Sequence, residues 1–328
     1  MEPIRCAVTG PLGNVGYNLV FFLAAGGVFG PDRKLILNLL EIPQLSQQLE
    51  GLRMELEDCA FPTVHSIRTG SDPFELFGDV DCAFLVGAKP RSQGMERKDL
   101  LAQNGAIFQT QGQALDRSAK KTVQVLVVGN PCNTNCLIAF HNAPSLSPFQ
   151  FAAMTLLDEL RAQAMLAKAA SASIDEVSSV TIWGNHSSTL VPDLSRTMIK
   201  ERQASSIVDM KWIQSVFLPG VRQRGAEIIK ARGKSSAASA ALAGIRAMKA
   251  LVGQLPQNSL VSMPVYSKGN PYGIDQNLFF SFPCRTGHRG VSIDFSMPPP
   301  EYILKEVRLS EQELIEEREM VRHLFLAQ

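Results

Sequence analysis

Charge of one sign is what this chain lacks first. Its 32 lysines and arginines face 31 aspartates and glutamates, for a formal net charge of +1 over 328 residues. Such a balance creates no broad field to attract a nucleic-acid backbone or an anionic membrane, so neither is an expected partner. Cysteine is also sparse, with six residues at positions 6, 59, 82, 132, 136 and 284 and no Cys-x-x-Cys pair. Cys132 and Cys136, with His141 nearby, superficially resemble metal ligands. They read better as small apolar residues packed in a reduced cytosolic protein, and no metal is expected. No long apolar run is present either: "YNLVFFLAAGGVFG" is broken by glycines and is too short to span a bilayer. The strand-like "IRCAVTG" begins at the fourth residue, which leaves no room for a leader, so a cytoplasmic location is expected.

The remaining composition is that of an ordinary globular protein, 45% hydrophobic and 19% charged. The length suits two domains. In the first half, apolar strands alternate with helices. "IRCAVTG", "KLILNLLEI", "DCAFLVGA" and "VQVLVVGNP" read as four strands, and "NVGYNLVFFLAAGG", "QLSQQLEGLRMELEDCA" and "LLAQNGAIFQTQGQALDRSA" as helices. Strands that are apolar throughout imply a parallel sheet covered on both faces, with ligands bound beyond the strands' carboxyl ends. The second half reads as helices with three short antiparallel strands, "SLVSMPVYSKG", "LFFSFPCRTG" and "RGVSIDF", and a final helix "SEQELIEEREMVRHLF". The fold class expected is α/β: a Rossmann-type doubly wound sheet over residues 1–153 and a C-terminal α+β catalytic domain over 154–328. The basic stretch "RQRGAEIIKARGK" has no interleaved aromatics and reads as a solvated helix face.

Gly10, Gly13 and Gly16 are spaced G-x-x-G-x-x-G between the first strand and the first helix. Glycines alone are a weak signal. In this context they let backbone N–H groups, those of Asn14 and Val15 included, approach a pyrophosphate at the helix N-terminus. Glu41, 25 positions beyond Gly16, ends the second strand. A carboxylate there accepts hydrogen bonds from ribose hydroxyls and repels a 2′-phosphate, which favours NAD over NADP.

Three further groups have the residue types of an oxidoreductase site. Arg91 and Arg97 lie in "LVGAKPRSQGMERKDLL", which follows the third predicted strand and reads as a loop hinged at Gly87 and Gly94. Asp158 and Arg161 are three apart on an apolar helix over 154–170 and therefore share a face. One of only five histidines, His186, follows the strand in "SSVTIWGNHSST" among small polar residues. An alcohol oxidised by hydride loss must also lose a hydroxyl proton. Histidine titrates in the right range to take it, and a carboxylate behind the ring holds the tautomer. That places His186 as the proton carrier with Asp158 behind it, and Arg161 as a partner for an anionic substrate.

Together these motifs resemble the lactate and malate dehydrogenase superfamily, most closely its cytosolic-type, NAD-dependent malate branch. "TGPLGNVGY", "LLEIPQ", "MELEDCAFP", "RSQGMERKDLL", "VVGNPCNTN", "TLLDELRA", "IWGNHSST", "ARGKSSAASAA" and "SKGNPYGI" carry the likeness in order, from Ile4 to about Phe325. The resemblance implies reversible oxidation of malate to oxaloacetate, a step of the tricarboxylic acid cycle. It implies that Arg161 pairs with the substrate's 1-carboxylate, Arg97 polarises the reacting carbonyl, Arg91 pairs with the second carboxylate and Asn130 hydrogen-bonds substrate. Val128, Gly129, Asn130, Asn104 and Gln111 would contact NAD, and Ser235 and Ser239 would line the nicotinamide side. It also implies a homodimer, to which the apolar residues of the 44–60 helix would contribute. Pro11-Leu12 departs from the small residues usual between the first two glycines, and Lys89 from a small residue or arginine. Two competing readings are a monocarboxylate (lactate-type) 2-hydroxyacid dehydrogenase, against which Arg91 argues, and a non-catalytic nucleotide-binding protein. The latter is disfavoured because His186, Asp158, Arg161 and Arg97 are all present.

Overall fold

The computed structural model describes residues 2–89, 97–288, 290–296 and 298–326. Six strands form one parallel sheet: β1 (Ile4–Thr9), β2 (Leu35–Leu40), β3 (Val64–Gly70), β4 (Cys82–Leu85), β5 (Gln124–Val127) and β6 (Phe151–Ala153). Their order across the sheet is β3-β2-β1-β4-β5-β6, and every neighbouring pair is parallel. Strand side chains alternate between faces. Val8, Leu37, Phe84 and Leu126 enter one core with Leu19 and Leu52. Ala7, Ala83, Leu85 and Val125 enter the other with Phe108 and Ile138. Both faces being buried is the reason that β1, β2, β4 and β5 read as mainly apolar runs.

The helices of this half are α1 (Asn14–Ala24), α2 (Ser46–Asp58), α3 (Pro73–Leu76), α4 (Arg97–Ser118) and α5 (Cys132–His141). Four strands were expected, and six are present among the described residues. The two additions, β3 and β6, are the sheet's edges. β3, "VHSIRTG", is half exposed and has no apolar run, and β6 is three residues long. Helix α5 was also not anticipated; "CNTNCLIAFH" carries three polar residues in its first turn, all of them buried.

The second half begins with α6 (Leu156–Ala169), followed by β7 (Val177–Ser178), β8 (Thr181–Trp183), β9 (Val191–Asp193), β10 (Met198–Ile199) and β11 (Arg202–Gln203). A short α7 (Met210–Trp212) runs through a π-helical turn into α8 (Leu218–Arg232), and α9 (Ala238–Leu251) follows. β12 (Leu260–Tyr266), β13 (Phe279–Gly287) and β14 (Gly290–Ile293) form the expected antiparallel sheet. α10 (Glu301–Val321) is capped by Pro300, so it starts nine residues before the predicted Ser310. The two halves share a core: α9 packs on α1, and Gly244 lets Leu19 approach to 3.3 Å of where a Cβ would stand.

Candidate active site

Sheet order reverses between β1 and β4, and in sheets of this kind ligands bind in the crevice beyond the carboxyl ends of the strands at that point. Thr9 Oγ1 accepts from the N–H groups of Val86 (3.0 Å) and Gly87 (3.1 Å), which holds the two strand ends together. Their contact requires glycine. A Cβ on Gly10, whose φ is +63°, would lie 2.5 Å from Gly87 Cα, and one on Gly16 would lie 2.1 Å from Gly10 O. Gly13 is the N-cap of α1; no side chain caps this end and its first turn holds no acid. The first backbone bond of the helix is Tyr17 N–H to Gly13 O, so the N–H groups of Asn14, Val15 and Gly16 precede the helical ladder. Such a terminus suits a pyrophosphate. Glu41 immediately follows β2; its carboxylate accepts from Ile42 N–H (3.0 Å) and, at 3.4 Å, from Leu12 N–H of the glycine turn. The α1 terminus therefore opens from a turn whose close backbone contacts exclude a Cβ at Gly10 and Gly16, with the Glu41 carboxylate beside it.

Across the crevice, Val128 and Gly129 both donate to Leu85 O, at 2.9 and 3.0 Å. Asn130 is exposed and precedes a cis proline, Pro131. Asn104 is fully buried on α4. Its amide donates to Asn130 O (3.0 Å) and Lys89 O (3.2 Å), and its carbonyl accepts from Lys89 N–H (2.8 Å). This side chain thus holds together the backbone segments that flank the crevice. Gln111 is buried on the same helix, and its Oε1 has no hydrogen-bond partner among the described residues.

His186 lies just past β8. Gly184 makes the turn with φ +94° and bridges to Ser281. His186 N–H donates to Asn133 Oδ1 (3.1 Å), while the Asn133 amide donates to Phe279 O (2.9 Å) and Gly184 O (3.4 Å). Asn133 is in the first turn of α5, so the segment after Asn130 is hydrogen-bonded directly to the histidine segment. The ring is oriented by Asp158 in the first turn of α6, whose Oδ2 lies 2.5 Å from His186 Nδ1. The other oxygen of Asp158 accepts from Arg161 Nη1 (3.2 Å), and Arg161 Nη2 donates to Ser236 Oγ (3.0 Å). The side chains of Asp158 and Arg161 are 1% and 13% exposed, so this is no surface ion pair. Burial pushes the His186 imidazole down and Arg161 adds to that, but the charge and hydrogen bond of Asp158 outweigh both and leave it above its ordinary value.

The structure thus joins His186 and Arg161 through the two oxygens of Asp158, and puts the glycine turn and Glu41 side by side. Arg91 lies outside the described residues, as does the side chain of Arg97. The backbone of Arg97 opens α4, so the loop expected to contain it ends there. Ser235 and Ser239 are both exposed, and Ser236 between them is the hydroxyl on Arg161. Neither Ser236 nor Asn133 was anticipated; they lie in "ARGKSSAASAA" and "VVGNPCNTN", where periodicity does not distinguish one serine or asparagine from its neighbour. Cys132 and Cys136 are buried on α5, and no cluster of three or more metal-ligating side chains occurs among the described residues. No described helix is long and apolar enough to cross a membrane.

Two family models match the chain. The NAD-binding domain of lactate/malate dehydrogenase matches residues 4–148, and the α/β C-terminal domain of the same family matches 155–324. A curated malate dehydrogenase from Protochlamydia amoebophila is 49% identical over 322 residues, which cover 98% of each chain. The crystal structure of malate dehydrogenase from Naegleria fowleri superposes with a TM-score of 0.95, at 41% identity over 99% of both chains. Trichomonas vaginalis lactate dehydrogenase, in complex with NADH and oxamate, gives 0.93 at 35% identity over 98% of both. The N-terminal sheet is accordingly an NAD-binding domain, and the glycine turn described above fits that cofactor.

Proposed function

The chain belongs to the lactate/malate dehydrogenase family, and from that premise we propose that it interconverts (S)-malate and oxaloacetate with NAD, using His186 to carry the proton. The observation that carries this reading is the Asp158 carboxylate, shared between His186 Nδ1 and Arg161 Nη1. When bound, NAD supplies the acceptor for the hydride. With the proton on Nδ1 held by Asp158, His186 presents Nε2 to the substrate and takes the hydroxyl proton there. In reduction the same nitrogen returns it. Arg161 lies one helical turn along from Asp158 and binds the carboxylate next to the reacting carbon, with Ser236 steadying the guanidinium. Asn130, exposed at the crevice, hydrogen-bonds substrate. By resemblance, Arg97 polarises the carbonyl and Arg91 takes the second carboxylate. Asn104 and Gln111 complete the NAD side together with Val128 and Gly129. In the cell this is the malate step of the tricarboxylic acid cycle.

The second reading, a lactate-type enzyme, has a specific basis in the likeness to the Trichomonas vaginalis lactate dehydrogenase. NADH absorbance followed with oxaloacetate, pyruvate and 2-oxoglutarate separates the two. Oxaloacetate is expected to be the preferred substrate by orders of magnitude. Equal or faster turnover of pyruvate would overturn the malate assignment.

We also propose a homodimer in the cytoplasm. The six thiols are all free, in keeping with a reducing compartment. Leu49, Leu52 and Leu56 of α2 are taken up by the chain's own core, so a contact through this helix draws on outward residues such as Met54, which is 51% exposed. Light scattering coupled to gel filtration is expected to give twice the chain mass of 35.8 kDa. Cell fractionation tests the location.

A further inference from the structure

We propose that Glu313, on the C-terminal helix α10, is a positioning residue for His186, because Asn185, Ser187 and Thr189 all donate side-chain hydrogen bonds to its Oε2. The distances are 2.9 Å from Asn185 Nδ2, 2.5 Å from Ser187 Oγ and 2.7 Å from Thr189 Oγ1. These three residues flank the histidine on both sides. The proposal rests on the reading of His186 as proton carrier.

The rest of the helix face supports the same task. Asn185 N–H donates to Ser310 Oγ (2.8 Å), one turn earlier on α10, and Thr189 Oγ1 lies 2.9 Å from that same oxygen. Gly184 has no room for a side chain against this serine; its Cβ would lie 2.2 Å from Ser310 Oγ. One turn later, Glu317 accepts from Asn185 Nδ2 (3.0 Å) and from the Thr134 hydroxyl of α5. α10 itself packs against α4, α5 and β9, so its place is set by the NAD-binding half as well as by its own domain. The histidine loop is thus attached to a rigid helix by a row of hydrogen bonds, with the charged acceptor Glu313 nearest its middle.

A carboxylate is the right group here. One ionised oxygen accepts several hydrogen bonds and strengthens each. Glutamine keeps the size but loses the charge, and its neutral carbonyl oxygen in the place of Oε2 accepts fewer and weaker hydrogen bonds. The loop then gives way at the donors that are least well held. His186 has two orienting contacts of its own, Asp158 on the ring and Asn133 on the backbone, so it stays near the site but with looser geometry. Proton transfer needs close alignment, and a displacement of about 1 Å costs up to about 100-fold.

The test is single-turnover hydride transfer from bound NADH to oxaloacetate by the whole protein, with the rate constant and amplitude read separately. Glu313→Gln is expected to slow the rate constant roughly tenfold, with full amplitude and an unchanged Kd for NADH. Thr189→Val, which removes one of the three donors, is expected to slow it about two- to threefold. Glu316→Gln, on the exposed side of the same helix, is expected to change nothing. A loss of amplitude at a wild-type rate constant would mean that Glu313 only supports folding, and overturns the proposal. Wild-type rates in both Glu313→Gln and Thr189→Val overturn it equally. Should Glu313→Gln fail to fold, Thr189→Val decides by its rate constant. His186→Asn, measured alongside, separates the two ideas: if it transfers hydride normally, the proton-carrier reading falls, whereas if it is inactive and the Glu313 variants are not slowed, only the positioning role falls.

Discussion

Asp158 and His186 are 28 residues apart in the chain, yet Asp158 Oδ2 lies 2.5 Å from His186 Nδ1. This contact raises the affinity of the imidazole for its proton against the effects of burial and of Arg161. In Asp158→Asn only the opposing effects remain, so His186 must titrate at lower pH. With His186 as the proposed proton carrier, reduction needs the imidazolium, and its alkaline limb is expected to move to lower pH. Oxidation needs the neutral ring, and its acid limb is expected to move the same way. Turnover should also fall by about 10²–10⁴, as expected for losing the oriented base. The check is kcat/KM against pH in both directions; limbs that stay in place would separate Asp158 from the titration of His186.

Glu41 stands beside the glycine turn, where it bonds Ile42 N–H and reaches Leu12 N–H. An adenosine 2′-phosphate would bring two anions together there. Glu41→Ser is expected to weaken NAD binding modestly and to raise kcat/KM for NADPH relative to NADH by about tenfold or more, one missing like-charge contact being worth of order 1–2 kcal/mol. A cofactor preference identical to wild type removes Glu41 from the ribose site.

Arg91 lies outside the described residues, and its role rests on the family resemblance. Its expected partner is the second carboxylate of oxaloacetate, which pyruvate lacks. Closing the site over pyruvate would leave the guanidinium beside a methyl group without a partner, a penalty of several kcal/mol. Arg91→Gln should cut kcat/KM for oxaloacetate sharply and raise it for pyruvate, with NADH binding little changed. If the ratio between the two keto acids stays constant, Arg91 does not read the second carboxylate.

Glu159, next to Asp158, is buried and accepts from Ser262 N–H at 2.5 Å. Burial pushes its carboxyl up from 4.5 to about 7, against the opposing hydrogen bonds of Ser262 and the charge of Arg246. The folded state therefore holds a proton that the unfolded chain releases. This contribution is fully present below about pH 4.5 and is lost as pH rises to about 7, in all about 3 kcal/mol. Glu159→Gln keeps an acceptor for Ser262 without the charge. Its Tm advantage over wild type is expected to grow as pH rises from 5 to 8. A difference that is flat with pH would show that Glu159 ionises normally in the fold.

The inner strands of the sheet were legible because each buries both faces, which leaves an apolar run as its trace. The edge strand β3 has only partial burial, and β6 is three residues long, so neither left that trace. In the site, the histidine, the Asp-x-x-Arg pair, the glycines and Glu41 stood out by residue type and by position relative to predicted strand ends. Ser236 did not, since Ser235 and Ser239 have the same chemistry in the same motif and only the path of the chain into α9 decides which one meets Arg161. Nor did the carboxylates of α10, whose partners in the 184–189 segment are distant in the chain and meet them only in the fold.

By itself the sequence determined what depends on neighbours in the chain: the alternation of strand and helix, the turn that only glycine permits, and the pairing of Asp158 with Arg161 one helical turn apart. These follow from backbone geometry and side-chain period, which act over a few residues. The sequence pointed by residue type to Asp158 behind His186, but the tertiary structure alone decided that Asn133 meets His186 over 53 positions and that Glu313 meets Asn185 over 128. Hydrogen bonds of that kind form only when packing of the shared core has fixed where each helix lies, and a pattern read along the chain holds no record of that distance.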